Sequence, residues 1–175
     1  MSVSENESIK YRDAADKIYG VVGMTLGLLV ANAEQYILDI SDGRNDKSVR
    51  LLPSFYVSAG SGISAKTIWE EDIKRFRTMT SMAIGNLLCR VMVNQNVAVT
   101  PELLRKLHDS IAEVAEDCCQ LQKDETDGIF NEYLRHFSRL FRMEQVRDIS
   151  RNMADSLKER HTLTRSEILE MFSEL

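Results

Sequence analysis

Histidine, cysteine and carboxylate side chains carry most metal and nucleophilic chemistry in proteins. The three histidines are His108, His136 and His161, and none stands in an HExxH motif or in the Glu-x-x-His pair of di-iron bundles. Glu132 and His136 are one helical turn apart, the spacing of two ligands on one helix face, but no second ligand pair accompanies them. The sequence therefore predicts no metal site, and it offers no residue pattern for a bound cofactor.

The cysteines also lack a catalytic or metal-binding pattern. Cys118 and Cys119 are adjacent and belong to no CxxC motif, and Cys118 falls on the apolar stripe of a predicted helix, where a thiol acts as a small hydrophobic group. Together with Cys89 they make an odd number without a disulfide framework. This usage favours a reducing, cytoplasmic environment.

A glycine-rich segment, residues 60–67, is a candidate anion-binding loop. Its sequence, GSGISAKT, is close to that of a phosphate-binding loop, in which backbone N–H groups at a helix N-terminus surround the phosphate. Ala65 occupies the position where that motif has a glycine before the lysine, and no alternation of strands and helices surrounds it. The pattern favours incidental anion binding over nucleotide hydrolysis. The residues in question are Gly60, Gly62, Lys66 and Thr67.

Three arginines at helical spacing, Arg135, Arg139 and Arg142, form a second candidate site. The preceding predicted helix is rich in carboxylates, namely Asp109, Glu113, Glu116 and Asp117. Two interpretations stay open: the opposite charges complement each other inside the bundle, or the arginines form a basic face for phosphate or an acidic partner. No aromatic residues alternate with the arginines on that face, so the pattern does not favour nucleic acid.

Composition places the chain among ordered globular proteins of one domain, residues 1–175. Hydrophobic residues make up 43% and charged residues 28%, and only two prolines and eight glycines interrupt the chain. Few interruptions favour long helices. The net charge of −5 argues against a dedicated nucleic-acid-binding protein.

The segment 18–33 is the most informative architectural feature, since its sixteen residues carry no formal charge and include three glycines. A glycine inside a helix costs about 1 kcal/mol relative to alanine, so keeping three indicates that something packs closely there. At 100° per residue the small residues fall opposite the large apolar stripe, where a second helix, from this chain or from a partner, can approach closely. The small side consists of Gly20, Gly23, Gly27 and Ala31. The segment is shorter than the roughly 20 apolar residues that span a bilayer, so we expect no membrane span.

Apolar periodicity and capping residues predict the remaining elements. Helix A is expected over residues 8–40, followed by a long loop, residues 41–64, whose segments 49–52 and 55–57 are candidate strands of a small hairpin. Helix B is expected over 65–95. Helix C begins after the N-cap Thr100 and Pro101. A further helical run reaches residue 161, and its stripe changes side, which predicts a break at 142–145. A capping box at Thr164 and Glu167 opens a last short helix over 165–172.

The C-terminal run VRDISRNMADSLKERHTLTRSEILEMF resembles the last helices of the zinc-peptidase domain of membrane-bound AAA proteases. The resemblance covers about a sixth of the chain. That family binds zinc through an HExxH motif, which this sequence lacks, so the resemblance does not imply peptidase activity.

These patterns predict an all-α fold: a four- or five-helix bundle, mostly antiparallel, with the long loop between helices A and B. The leading functional hypothesis is a non-enzymatic interaction or assembly protein that binds another protein or self-associates through helix A. One alternative is a ligand-binding or enzymatic bundle whose pocket is covered by residues 41–64. Another is an accessory protein that contacts nucleic acid through the arginine face.

Overall fold

The computed structural model describes residues 9–44, 48–57, 62 and 64–173. It is 73% helical, which confirms the mostly helical fold class, and it adds a small three-stranded sheet. In chain order the elements of the described residues are α1 (Ala14–Val30), β1 (Ile37–Ser41), β2 (Val49–Leu51), α2 (Ala65–Leu88), α3 (Pro101–Cys119), α4 (Lys123–Leu140), α5 (Glu144–Arg160), β3 (Thr162–Thr164) and α6 (Arg165–Phe172). A π-helical turn, Cys89–Asn94, extends α2.

The first helix is shorter than the sequence pattern predicts. Its N-cap is Asp13, whose side chain accepts a hydrogen bond from the backbone N–H of Asp16, and it ends at Val30. Asn32, at φ +52°, takes the left-handed conformation that commonly terminates a helix. The predicted extension of helix A to residue 40 is therefore wrong, because residues 37–41 form a strand. The spacing of their apolar residues is compatible with the period of a helix and with that of a strand.

The sheet has the order β2-β1-β3, and both pairs are antiparallel. Ile40, in the central strand, lies opposite Val49 on one side and Leu163 on the other. The predicted strand at 49–52 is thus present, but its partners are β1 and a C-terminal strand. The other half of the predicted hairpin is absent, because Pro53–Phe55 form a 3₁₀ turn.

The small side of α1 packs against α2 of the same chain. A Cβ built on Gly23 would lie 2.1 Å from the carbonyl oxygen of Gly85, and one built on Gly27 would lie 2.5 Å from the Cα of Met82. Side chains here would therefore collide with backbone atoms. The buried hydroxyl of Ser81 donates a hydrogen bond to the carbonyl oxygen of Gly27 at 2.8 Å, so a side chain of α2 binds the backbone of α1 directly.

The C-terminal half agrees closely with the predicted boundaries. Thr100 caps α3, with Pro101 in the first turn, and Thr164 and Glu167 form the capping box of α6. The predicted break separates α4 from α5. The phase of the α3 stripe differs, since Cys119 is buried and Cys118, which the sequence placed on the apolar stripe, is exposed. Among the described residues, no helix is long and apolar enough to cross a membrane.

Replacing Gly23 by alanine should lower the free energy of unfolding, because the new Cβ would press on a backbone oxygen that has little room to move. Overpacking of this kind costs about 1–3 kcal/mol. Urea unfolding followed by circular dichroism measures the effect. Gly128→Ala is the matched control: nothing lies within 4 Å of its Cβ position in α4, so alanine should stabilise by up to about 1 kcal/mol. Equal effects of the two substitutions would refute the close contact.

Candidate interaction surfaces

A buried ion pair joins α1 to the π-helical turn after α2. The guanidinium of Arg90 donates to one carboxylate oxygen of Asp16 from Nε at 2.9 Å and from Nη2 at 2.7 Å. Its nitrogens also donate to the backbone carbonyls of Ile9 and Lys10, and the ring of Tyr11 lies 4.7 Å from the guanidinium carbon. This arrangement holds the segment before α1 against the end of α2.

The environment of Asp16 determines its ionisation. Burial alone would raise the pKa of this carboxyl, but hydrogen bonds and charge from Arg90, with the backbone N–H of Arg12, outweigh it and hold the pKa below its ordinary value. Sequence analysis missed this pair. The available signal was a single arginine, Arg90, in the apolar run from Leu87 to Val93, where a charge requires a partner.

The glycine side of helix A is covered by the chain itself. Gly20, Gly23 and Gly27 are buried, and each faces residues of α2 or its π-helical extension. Ala31 caps α1 and borders a cleft with Arg77 and Glu132. The close approach that the sequence predicted is therefore intramolecular. Self-association through helix A stays a prediction; α2 and its extension cover the three glycines, and Ala31 is half-buried.

The described residues of the candidate anion-binding loop, 62 and 64–67, do not form an assembled anion site. Gly60 lies outside the described residues, and nothing lies within 4 Å of the Cβ position of Gly62. The Oγ of Ser64 accepts the N–H of Thr67, which occupies a donor that an anion would need. Lys66 points to Glu70 at 3.7 Å. The described residues of this segment form an ordinary capped helix start.

The arginine face is present and faces outward. Arg135 and Arg139 are exposed on the side of α4 opposite its buried residues, and Arg142 is exposed in the turn that follows the helix. Arg135 donates to the carbonyl oxygen of Asn131 in its own helix at 3.3 Å. None of the three lies within 4.0 Å of a carboxylate in the described part of the chain. One interpretation was that these arginines pair with the carboxylates of the acidic helix, α3. No such ion pair is formed between described residues of one copy.

A cleft lies between α2 and the segment after β2. Arg75 donates from Nε to the carbonyl oxygen of Phe55 at 2.8 Å, which holds the segment on the helix. The rings of Tyr36 and Phe55 meet edge to face with centroids 5.4 Å apart. The cleft has a volume of about 340 Å³, and its lining residues are Tyr36, Ser54, Phe55, Val57, Glu71, Lys74, Arg75 and Thr78.

Several side chains that could carry chemistry have structural roles instead. Glu132, which the sequence placed one turn before His136, accepts hydrogen bonds from Nη2 of Arg77 at both carboxylate oxygens. His108 bonds Asp127 at 2.6 Å and links α3 to α4. Burial raises the pKa values of the Cys89 and Cys119 thiols, which makes both weaker nucleophiles. In the described ranges, no three histidine, cysteine or carboxylate residues form a group that would hold a metal ion.

Compared with protein-family models, with curated proteins and with solved structures, the chain shows no significant match. The C-terminal resemblance to the AAA-protease zinc domain therefore gains no support from these comparisons, and functional arguments rest on the molecule itself.

Asp16→Asn should destabilise the protein by about 3–5 kcal/mol, because it leaves the buried charge of Arg90 without its counter-charge. Urea unfolding at pH 7 measures the change. The control is Asp148→Asn, which removes an exposed partner of Arg151 and should cost no more than about 1 kcal/mol. Similar losses in both variants would contradict the assigned role of the buried pair.

The stabilisation that ionised Asp16 contributes depends on pH in a defined direction. Because the pKa of folded Asp16 lies below the ordinary 3.8, the stability it contributes is complete above that pH and is lost as the pH falls through the lowered value. The difference in unfolding free energy between the wild type and Asp16→Asn should therefore shrink below pH 4. A difference that stays constant down to pH 2 would show that the carboxylate charge does not contribute.

Proposed function

We propose that this chain is a non-enzymatic, cytoplasmic assembly protein that binds an acidic protein surface through the arginine face of α4. The observation that carries the proposal is the set of three exposed arginines, Arg135, Arg139 and Arg142, without a carboxylate within 4.0 Å among the described residues. Most other arginines of the described chain have such a partner, as Arg77, Arg90 and Arg151 do.

The spacing of the face suits a protein ligand. Arg135 and Arg139 are one helical turn apart on the same side of α4, and Arg142 follows in the turn after the helix. Arginine presents a planar set of donors that binds carboxylates in bidentate geometry. Arg139 is also in the last turn of α4, where its charge complements the helix dipole, so the face is compatible with a stable helix when no partner is bound.

An acidic protein is favoured over nucleic acid. Binding of a single strand relies on aromatic side chains between the cationic ones. On α4 the aromatic residues Phe130, Tyr133 and Phe137 are buried on the opposite face. Met143, which follows the helix, is half exposed and supplies an apolar contact beside Arg142.

Fluorescence anisotropy of a labelled twelve-residue oligoglutamate peptide tests the chemistry of the face. We expect salt-dependent binding that weakens about threefold to tenfold in Arg139→Glu, since the substitution replaces an attraction by a repulsion. Arg165→Glu is the matched control, because it makes the same change of net charge at an exposed residue at the start of α6.

Two results would overturn the proposal. Equal weakening by both substitutions would mean that only net charge matters. Tighter binding of a single-stranded oligonucleotide than of the peptide, lost in Arg139→Glu, would assign the face to nucleic acid instead.

A second candidate function is small-molecule binding in the cleft beside α2. Its volume of about 340 Å³ is at the lower end of the range for ligand sites, and it combines aromatic with charged lining residues. Ser54→Trp should fill the cleft without replacing a buried side chain. A ligand from an aromatic-acid screen that raises the melting temperature of the wild type, and fails to do so in Ser54→Trp, would support it. Equal shifts in both proteins would exclude the cleft.

A further inference from the structure

The C-terminal half of α3 carries an acidic stripe that has no cationic partner in the described structure. Glu113, Glu116 and Asp117 are exposed on the side opposite the buried residues of α3, and no lysine or arginine of the described ranges lies within 4.0 Å of their carboxylates. The stripe ends in the last turn of the helix, where carboxylates oppose the negative end of the helix dipole. A cation supplied from outside the chain would relieve this repulsion.

The acidic and basic stripes are held apart within one copy. Only residues 120–122 separate α3 from α4, so the acidic end of α3 lies beside the start of α4. Asp124 in the first turn of α4 is separated from Arg139 by fifteen residues, or roughly 22 Å along the helix. At physiological salt the screening length is about 8 Å, so the two regions cannot neutralise each other.

Both stripes lie on surfaces turned away from the core. Both α3 and α4 contact α2: the thiol of Cys119 faces the carbonyl oxygen of Asp72, and Glu132 forms an exposed ion pair with Arg77. His108 and Asp127 join the two helices to each other. Both stripes therefore face solvent, the acidic one near the connection between α3 and α4 and the basic one near the far end of α4.

Resting on the proposed function, we propose that the acidic partner is a second copy of this chain, turned end for end. In that arrangement the stripe of Glu113, Glu116 and Asp117 in each copy faces Arg135, Arg139 and Arg142 of the other. Each copy supplies both charges, so a two-fold axis creates two identical contacts and closes the assembly as a dimer. The two stripes complement each other in charge, and this favours a second copy as the partner. An unrelated acidic protein would carry a matching pair of stripes only by chance.

Sedimentation velocity of the full chain measures the assembly. The wild type should sediment as a dimer at 50 mM NaCl and dissociate as salt is raised. Arg139→Glu and Glu116→Arg should each raise the dimer dissociation constant at least about tenfold, because each places like charges opposite one another twice. Arg165→Glu, which matches the charge change of Arg139→Glu, should leave the dimer intact.

Mixing the two variants is the decisive step. A heterodimer of Arg139→Glu with Glu116→Arg restores opposite charges at both contacts, so the mixture should regain dimer while each variant alone is monomeric. Thermal melts of both variants check that they remain folded. A monomeric wild type at low salt, or a mixture that stays monomeric, would overturn the dimer. Oligoglutamate binding by the arginine face would then survive as a separate result, so the two proposals fail independently.

Discussion

The backbone contact between α1 and α2 is the constraint on which the rest of the structure depends. Gly23 and Gly85 face each other so closely that a Cβ on either would meet the carbonyl oxygen of the other at 2.1 and 2.3 Å. The hydrogen bond from Ser81 to the carbonyl of Gly27 and the buried pair of Asp16 with Arg90 secure the same interface along its length. Glycine is required because side chains would separate the helices.

This contact determines which surfaces remain for a partner. One side of α2 is closed by α1, and other sides receive α3 and α4, which leaves the outer faces of those two helices in solvent. Their charges are not paired across α3 and α4 in the described chain, apart from the link of His108 to Asp127. The proposed assembly therefore uses the exposed charged residues of α3 and α4 rather than the glycine side of α1. An acidic protein with a local basic stripe can attract a matching surface while its net charge of −5 opposes nonspecific association.

Local signals predicted the local features correctly. Three features that depend on a few neighbouring residues are found in the structure: the N-cap Thr100 with Pro101, the capping box of Thr164 and Glu167, and the helix break near Arg142. The glycines correctly indicated a close neighbour, but spacing alone does not tell whether that neighbour belongs to the same chain.

Features that depend on distant residues could not be predicted in this way. Residues 37–41 form a strand because β2 and β3 supply hydrogen-bonding partners from residues 49–51 and 162–164. Asp16 and Arg90 are 74 residues apart, so their pairing appears only once the helices are packed. Cys119 is buried and Cys118 is exposed, whereas the sequence placed Cys118 on the apolar stripe. Neighbouring positions on a helix differ by about 100°, so the packing of α3 decides which of the two is buried.

Amide hydrogen exchange monitored by mass spectrometry tests the central claim most directly. If α1 and α2 form the internal interface, peptides covering residues 20–27 and 81–88 should exchange slowest, through global unfolding alone. Their protection should be the same at low and at high protein concentration. Rapid exchange in residues 20–27, or protection there that appears only at high concentration, would contradict the account and return the glycine side to an intermolecular contact.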